Sequence, residues 1–212
     1  MLTIQLYSVH LNSVQSYRRT VMKIIDIWNP KGGQGKSMLT INLAAAAIEL
    51  GKKVLVICQD PQGTSTLYYK GGNLPFEVLS SIPRTKPDAD ILIFDHQAAD
   101  WDVPEGALLI MPFKPARDQY ATYMDAFKRA ELAGKSIVTV VTDTNSHRPE
   151  EVNVTKAMKK RGAFVIPSSG VFGRAACEYR TIFDDALNRA YKVKDRRREF
   201  LQIMSHILVE VK

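Results

Sequence analysis

The sequence predicts a doubly wound α/β fold built on a mainly parallel sheet. Three observations carry that expectation. From Lys23 onward, apolar runs of strand length alternate with longer segments of helical periodicity. Two of those runs, 24–28 and 54–58, are almost continuously apolar, as strands covered by helices on both faces must be. A glycine-rich stretch, 31–37, stands between the first strand and the first long helix, at the strand end where open α/β sheets bind ligands.

The elements follow in order. Residues 1–21 contain no Asp or Glu, show no sustained period and place Arg18 and Arg19 late, unlike a signal peptide. They are read as a mobile extension or a start-site artefact, and 22–212 as a single domain. The strand 24–28 ends at Asn29-Pro30. Residues 37–50 carry a broad helical apolar face and stop at Gly51. Further strands are predicted at 54–58, 91–94, 107–111, 137–141 and 164–166. Helices are predicted at 117–133, 149–161, 174–191 and 195–210. No repeat, low-complexity tract or linker interrupts the series.

Composition narrows the function classes. A length of 212 residues and a 45% hydrophobic fraction suit one globular domain with its own core. Cys58 and Cys177 are far apart, which argues against a disulfide framework, a zinc site or an iron–sulfur cluster and favours a reducing cytosol. No apolar run reaches membrane-spanning length. The net charge of +7 and a pI of about 9.4 point to a polyanionic partner.

The motif that carries chemistry is Lys31-Gly32-Gly33-Gln34-Gly35-Lys36-Ser37. Phosphate binding needs backbone N–H groups aimed at one point, and glycines permit that curl. The helix that follows presents its positive end to the anion. Lys36 supplies a mobile cation for the outer phosphates, and the Ser37 hydroxyl is placed for Mg2+. Met38 is next in the helix and joins the expected nucleotide contacts.

With Asn29 and Pro30 in front, this stretch closely resembles the deviant Walker A motif of the ParA/MinD superfamily of P-loop NTPases. An ordinary P-loop has glycine where Pro30 stands, and it lacks the early lysine, Lys31. The resemblance implies ATP and Mg2+ as ligands and a homodimer around ATP, with Lys36 acting in its own subunit and Lys31 reaching the partner's phosphates. Asp60-Pro61-Gln62-Gly63 resembles the family's switch segment, in which Asp60 would orient the attacking water; Cys58 replaces the switch's first aspartate. Asp95 resembles the Walker B aspartate that holds Mg2+ through water, although His96-Gln97-Ala98 follows in place of Thr-Pro-Pro. Ile166-Pro167, followed by Arg174, resembles a late segment near the adenine and the dimer surface, so Pro167 is a nucleotide candidate. The catalytic candidates are thus Lys31, Lys36 and Asp60.

Two basic clusters remain. Arg189, Lys192, Lys194, Arg196, Arg197 and Arg198 face only one acid, Asp195, in that stretch, and Lys156, Lys159, Lys160 and Arg161 form a second group. Clustered cations release counterions from duplex phosphates and bind without sequence preference; the alternative is a solvated helix face. The first cluster is the DNA candidate. His96, His147 and His206 have no metal-ligand spacing. The apolar stripe Phe200, Leu201, Ile203, Met204, Ile207, Leu208, Val211 lacks interspersed cations and is expected to pack on the domain rather than on a membrane.

The resemblance as a whole implies a ParA-type partition or cargo-positioning ATPase, most like the small plasmid-partition proteins. It would be cytoplasmic and nucleoid-associated, with hydrolysis stimulated by a ParB- or ParG-like partner. The rivals are a low-turnover ATP-switched scaffold and a MinD-like membrane-associated positioning factor.

Overall fold

The structure, a computed structural model, describes residues 22–60 and 63–209. The extension 1–21, Pro61 and Gln62 of the switch segment, and Val211 of the apolar stripe lie outside the described residues.

Among the described residues, seven strands form one parallel sheet. In chain order they are β1 (Lys23–Ile27), β2 (Val54–Cys58), β3 (Glu77–Leu79), β4 (Ile91–Asp95), β5 (Leu108–Phe113), β6 (Ser136–Thr144) and β7 (Phe164–Pro167). Their spatial order is β3-β2-β4-β1-β5-β6-β7, with every pairing parallel. The first strand is therefore central, and the chain winds outward from it in both directions. That reversal opens a crevice at the carboxyl end of β1, where the glycine-rich loop begins.

The helices are α1 (Lys36–Glu49), α2 (Thr64–Lys70), α3 (Arg117–Leu132), α4 (Pro149–Lys160), α5 (Gly170–Cys177) and α6 (Val193–Val209). Alternation along the strands divides the core. Ile25, Ile27, Leu108 and Ile110 face a cluster with α1 and α6, whereas Trp28, Leu109, Met111 and Phe113 face one with α3 and α4. The run Ala44 to Ala47 is wholly buried, and its small side chains let α1 lie close to both the sheet and α6. Phe200, Ile203, Met204 and Ile207 are buried in that same cluster, so the stripe of α6 packs on the domain. Among the described residues, no helix is long and apolar enough to cross a membrane.

The predicted helix 174–191 does not form. The helix there is α5, which starts earlier and ends at Cys177; Tyr179 then takes a φ of 51°. A short 3-10 turn follows at Asp185–Leu187, where the Asp184 carboxylate accepts the N–H of Ala186 at 2.9 Å. Lys192, with φ 57°, breaks the chain again before α6. Residues favourable to helix thus yield to local capping and left-handed turns. Two elements, α2 and β3, have no counterpart among the predicted ones. The sixth strand runs past the predicted 137–141 to Thr144, with an irregularity between Thr142 and Thr144 and a φ of 54° at Asp143.

Candidate nucleotide-binding site and basic surface

The loop after β1 is braced from beneath by side chains. Asn29 is fully buried; its amide donates to the Pro112 carbonyl at 2.7 Å, and its oxygen accepts the Lys31 N–H at 2.8 Å. Gln34 is buried too, with its amide on the Gly32 carbonyl and on Gln119, and its oxygen accepting the Lys114 N–H. The Gln34 carbonyl accepts the Thr142 hydroxyl at 2.9 Å. Gly33 and Gly35 take φ values of 73° and 88°, which a side chain would strain. Gly32 is different, because a Cβ there would meet Ala98 at an ordinary 3.6 Å. Gly35 stands at the N-terminus of α1, and no side chain caps that helix end. Its leading N–H groups thus suit an anion.

The two lysines of the loop are placed differently. Lys36 is only 7% exposed, and its ammonium donates to the Asn29 carbonyl at 2.9 Å and toward the Lys31 carbonyl at 3.4 Å. Burial lowers its pKa, with Asp95 and Asp60 opposing the shift. The Lys31 side chain is 42% exposed and reaches outward to Asp118, with 3.9 Å between nitrogen and oxygen.

At the end of β4, Asp95 is fully buried. One carboxylate oxygen accepts the Ser65 hydroxyl at 2.5 Å; the other has no hydrogen-bond partner. Burial raises the pKa of Asp95, while Ser65, Ser37, Lys36 and Thr40 act against the rise. A leftover carboxylate oxygen beside the Ser37 hydroxyl is a donor set of the oxygen type that Mg2+ takes. Asp60 follows β2 and its carbonyl accepts the Gly63 N–H at 2.8 Å, while its charge is felt at Lys36. Sequence reasoning missed Ser65, thirty positions from Asp95 and in a helix with no evident period.

Beside the loop lies a cleft of about 190 Å3, and Gly35, Met38, Lys114, Thr142, Pro167 and Phe172 are among its lining residues. Met38 and Pro167 thus share one cavity next to the glycine-rich loop. Lys114 pairs with Asp143 at 3.0 Å across its rim. Of the histidines, His96 bonds the buried Asp26 at 2.7 Å, His147 is exposed, and His206 packs edge-on to Phe164.

The basic stretch divides into two groups. Arg189, Lys192, Lys194 and Arg198 are exposed. Arg196 is only 6% exposed; it bonds the Pro167 carbonyl at 3.1 Å and Glu199 at 2.8 Å. Arg197 donates to the carbonyls of Ile182 and Asp184 and to the Asn188 side chain, at 2.6, 2.9 and 2.7 Å. These two arginines tie α6 to the preceding turn and to β7. In the other cluster, Lys156, Lys159, Lys160 and Arg161 are all exposed.

Comparison with known proteins gives concordant matches. A family model described as an AAA domain (AAA_31) matches residues 22–97, the span from β1 through Asp95. The sporulation initiation inhibitor protein Soj of Bacillus subtilis (strain 168) is 36% identical over 81 residues, which are 38% of this chain and 27% of that protein. The chain thus covers about a quarter of that relative's length. The maintenance of carboxysome distribution protein A of Gloeobacter kilaueensis is 26% identical over 170 residues, 72% of this chain and 77% of that one. Among solved structures, a plasmid partition protein from Borrelia burgdorferi B31 bound to AMPPNP superposes with a TM-score of 0.69 at 18% identity, covering 87% of this chain and 99% of that one.

Proposed function

We propose that the chain is a P-loop ATPase of the ParA/MinD superfamily that hydrolyses ATP as a homodimer acting in DNA partition or cargo positioning, a reading supported by the matches to partition proteins. The observation that carries this reading is the opposite placement of the two loop lysines. Lys36 is buried on the carbonyls of its own loop, where β- and γ-phosphate oxygens of a bound ATP can take over its hydrogen bonds. Lys31 points away from that loop and is held only by a long, exposed ion pair with Asp118. Such pairs contribute little, so releasing Lys31 toward a partner's phosphates costs little.

The remaining roles follow. Gly32, Gly33, Gln34 and Gly35 supply the backbone of the phosphate cradle, and Met38 and Pro167 border the cleft open to the rest of the nucleotide. Ser37 and Asp95 would hold Mg2+, which would neutralise phosphate charge when bound. Asp60 orients the attacking water. With little covalent work for the protein, charge stabilisation by Lys36 and Lys31 is the main catalytic device. The exposed Arg189, Lys192, Lys194 and Arg198 bind duplex phosphates without sequence preference. A centromere- or cargo-binding protein of the ParB or ParG kind stimulates turnover, and the dimer resides on the nucleoid.

The test is phosphate release by the full chain with ATP, Mg2+ and duplex DNA, beside Lys36→Ala as an inactive control. Turnover in the parent and none in the variant is the expected result. Equal phosphate release from both would remove the activity from this site.

A further inference from the structure

We propose that Ser65 is a positioning residue for the metal site: its hydroxyl fixes the Asp95 carboxylate and couples it to the segment that carries Asp60. This rests on the assignment of Asp95 to Mg2+ and Asp60 to water made above.

The geometry is specific. Ser65 is fully buried, and its Oγ lies 2.5 Å from one Asp95 oxygen, a short contact of the charge-assisted kind. The other Asp95 oxygen is buried and has no hydrogen-bond partner. The Ser65 donor on one oxygen orients the carboxylate and would leave the second oxygen for the metal site. Carboxylates at metal sites are usually held in this way by a neighbour that does not itself touch the ion.

Ser65 also lies close in the chain to Asp60. It lies in the first turn of α2, which begins just after Gly63, and the Gly63 N–H is bonded to the Asp60 carbonyl. Asp60 is thus bonded to Gly63, and two residues along the chain Ser65 is bonded to Asp95. Cys58 stands where the resembled switch has its first aspartate, in register with Asp95 on the adjacent strand, and its thiol is turned toward the Asp60 carbonyl at 3.9 Å. The polar contact from this segment to Asp95 comes from Ser65 instead. Whatever aligns Asp95 for the metal thereby also sets where α2 starts and where Asp60 stands.

The experiment measures ATP affinity by calorimetry, once with Mg2+ and once with EDTA, for the parent, Ser65→Ala, Ser65→Cys and Asp95→Asn. The ratio of the two affinities isolates the metal contribution from any general weakening of the ATP site. In the parent, Mg2+ should tighten binding clearly. In Ser65→Ala that enhancement should fall about tenfold or more, the usual effect of losing such a supporting contact. Ser65→Cys keeps the group's size with a weaker donor, and its enhancement should fall more than twofold but less than in Ser65→Ala, so the outcome does not depend on Ser65→Ala folding well. An enhancement in either Ser65 variant within twofold of the parent's, while Asp95→Asn abolishes it, would overturn the role of Ser65 and leave the metal assignment standing. No enhancement in the parent, or one unaffected by Asp95→Asn, would overturn the metal assignment and the role of Ser65 with it.

Discussion

Lys36 holds a positive charge almost out of water, with carbonyl oxygens as its bonded partners. Phosphate oxygens are stronger acceptors than carbonyls for an ammonium group, so nucleotide binding relieves a costly arrangement. Lys36→Ala should weaken ATP binding by roughly 100-fold, read by calorimetric titration. Near-parental affinity would mean that the loop does not cradle phosphate. Asp60 has a different expected phenotype. Asp60→Ala should bind ATP and pair normally yet release phosphate about 100-fold more slowly, because only water orientation is lost. Equal release by parent and variant in a phosphate assay would show that the switch is already inactive with Cys58 in place. The residues of the loop were legible in the sequence because their chemistry is local: glycines at left-handed positions and a lysine and a serine at the start of a helix. Ser65 was not, because its partner is brought to it by the pairing of β2 with β4.

At the scale of the element, α6 shows why a run of charges misleads. Arg196, Arg197 and Arg198 are consecutive, but a helix sends consecutive residues to different faces. The first is buried against β7 and Glu199, the second is engaged with the preceding turn, and the third is exposed. Arg196→Ala should therefore destabilise the fold by about 3 kcal/mol in urea unfolding, since it strands Glu199 and the Pro167 carbonyl. The double variant Lys194→Ala with Arg198→Ala should change stability by less than about 1 kcal/mol. It should instead weaken DNA binding uniformly on two unrelated duplexes and flatten the salt dependence, as measured by anisotropy. An unchanged slope would move the DNA surface, with Lys156, Lys159, Lys160 and Arg161 next in line. The central strands were legible for the opposite reason: buried on both faces, they read as unbroken apolar runs. The half-exposed, seven-residue α2 and the three-residue β3 are too short to show a period. The stretch around 178–192 has helical composition, but the Asp184 cap and the left-handed Tyr179 and Lys192 decide its course.

For the whole molecule, the central claim is that ATP makes two copies into one body. A single subunit offers few phosphate contacts, each screened at physiological salt, whereas a pair doubles them on one rigid unit. DNA binding should therefore require ATP and fall steeply with salt. In the proposed pairing the residue of interest is Lys31, since in this structure it reaches out to Asp118 and is only weakly tethered. The most direct measurement is light scattering of the parent and Lys31→Ala with ATP and Mg2+, with nucleotide affinity measured in parallel. The parent should double in mass with ATP, and Lys31→Ala should bind nucleotide yet remain a monomer. A Lys31→Ala protein that doubles in mass with ATP as the parent does would contradict pairing through this lysine.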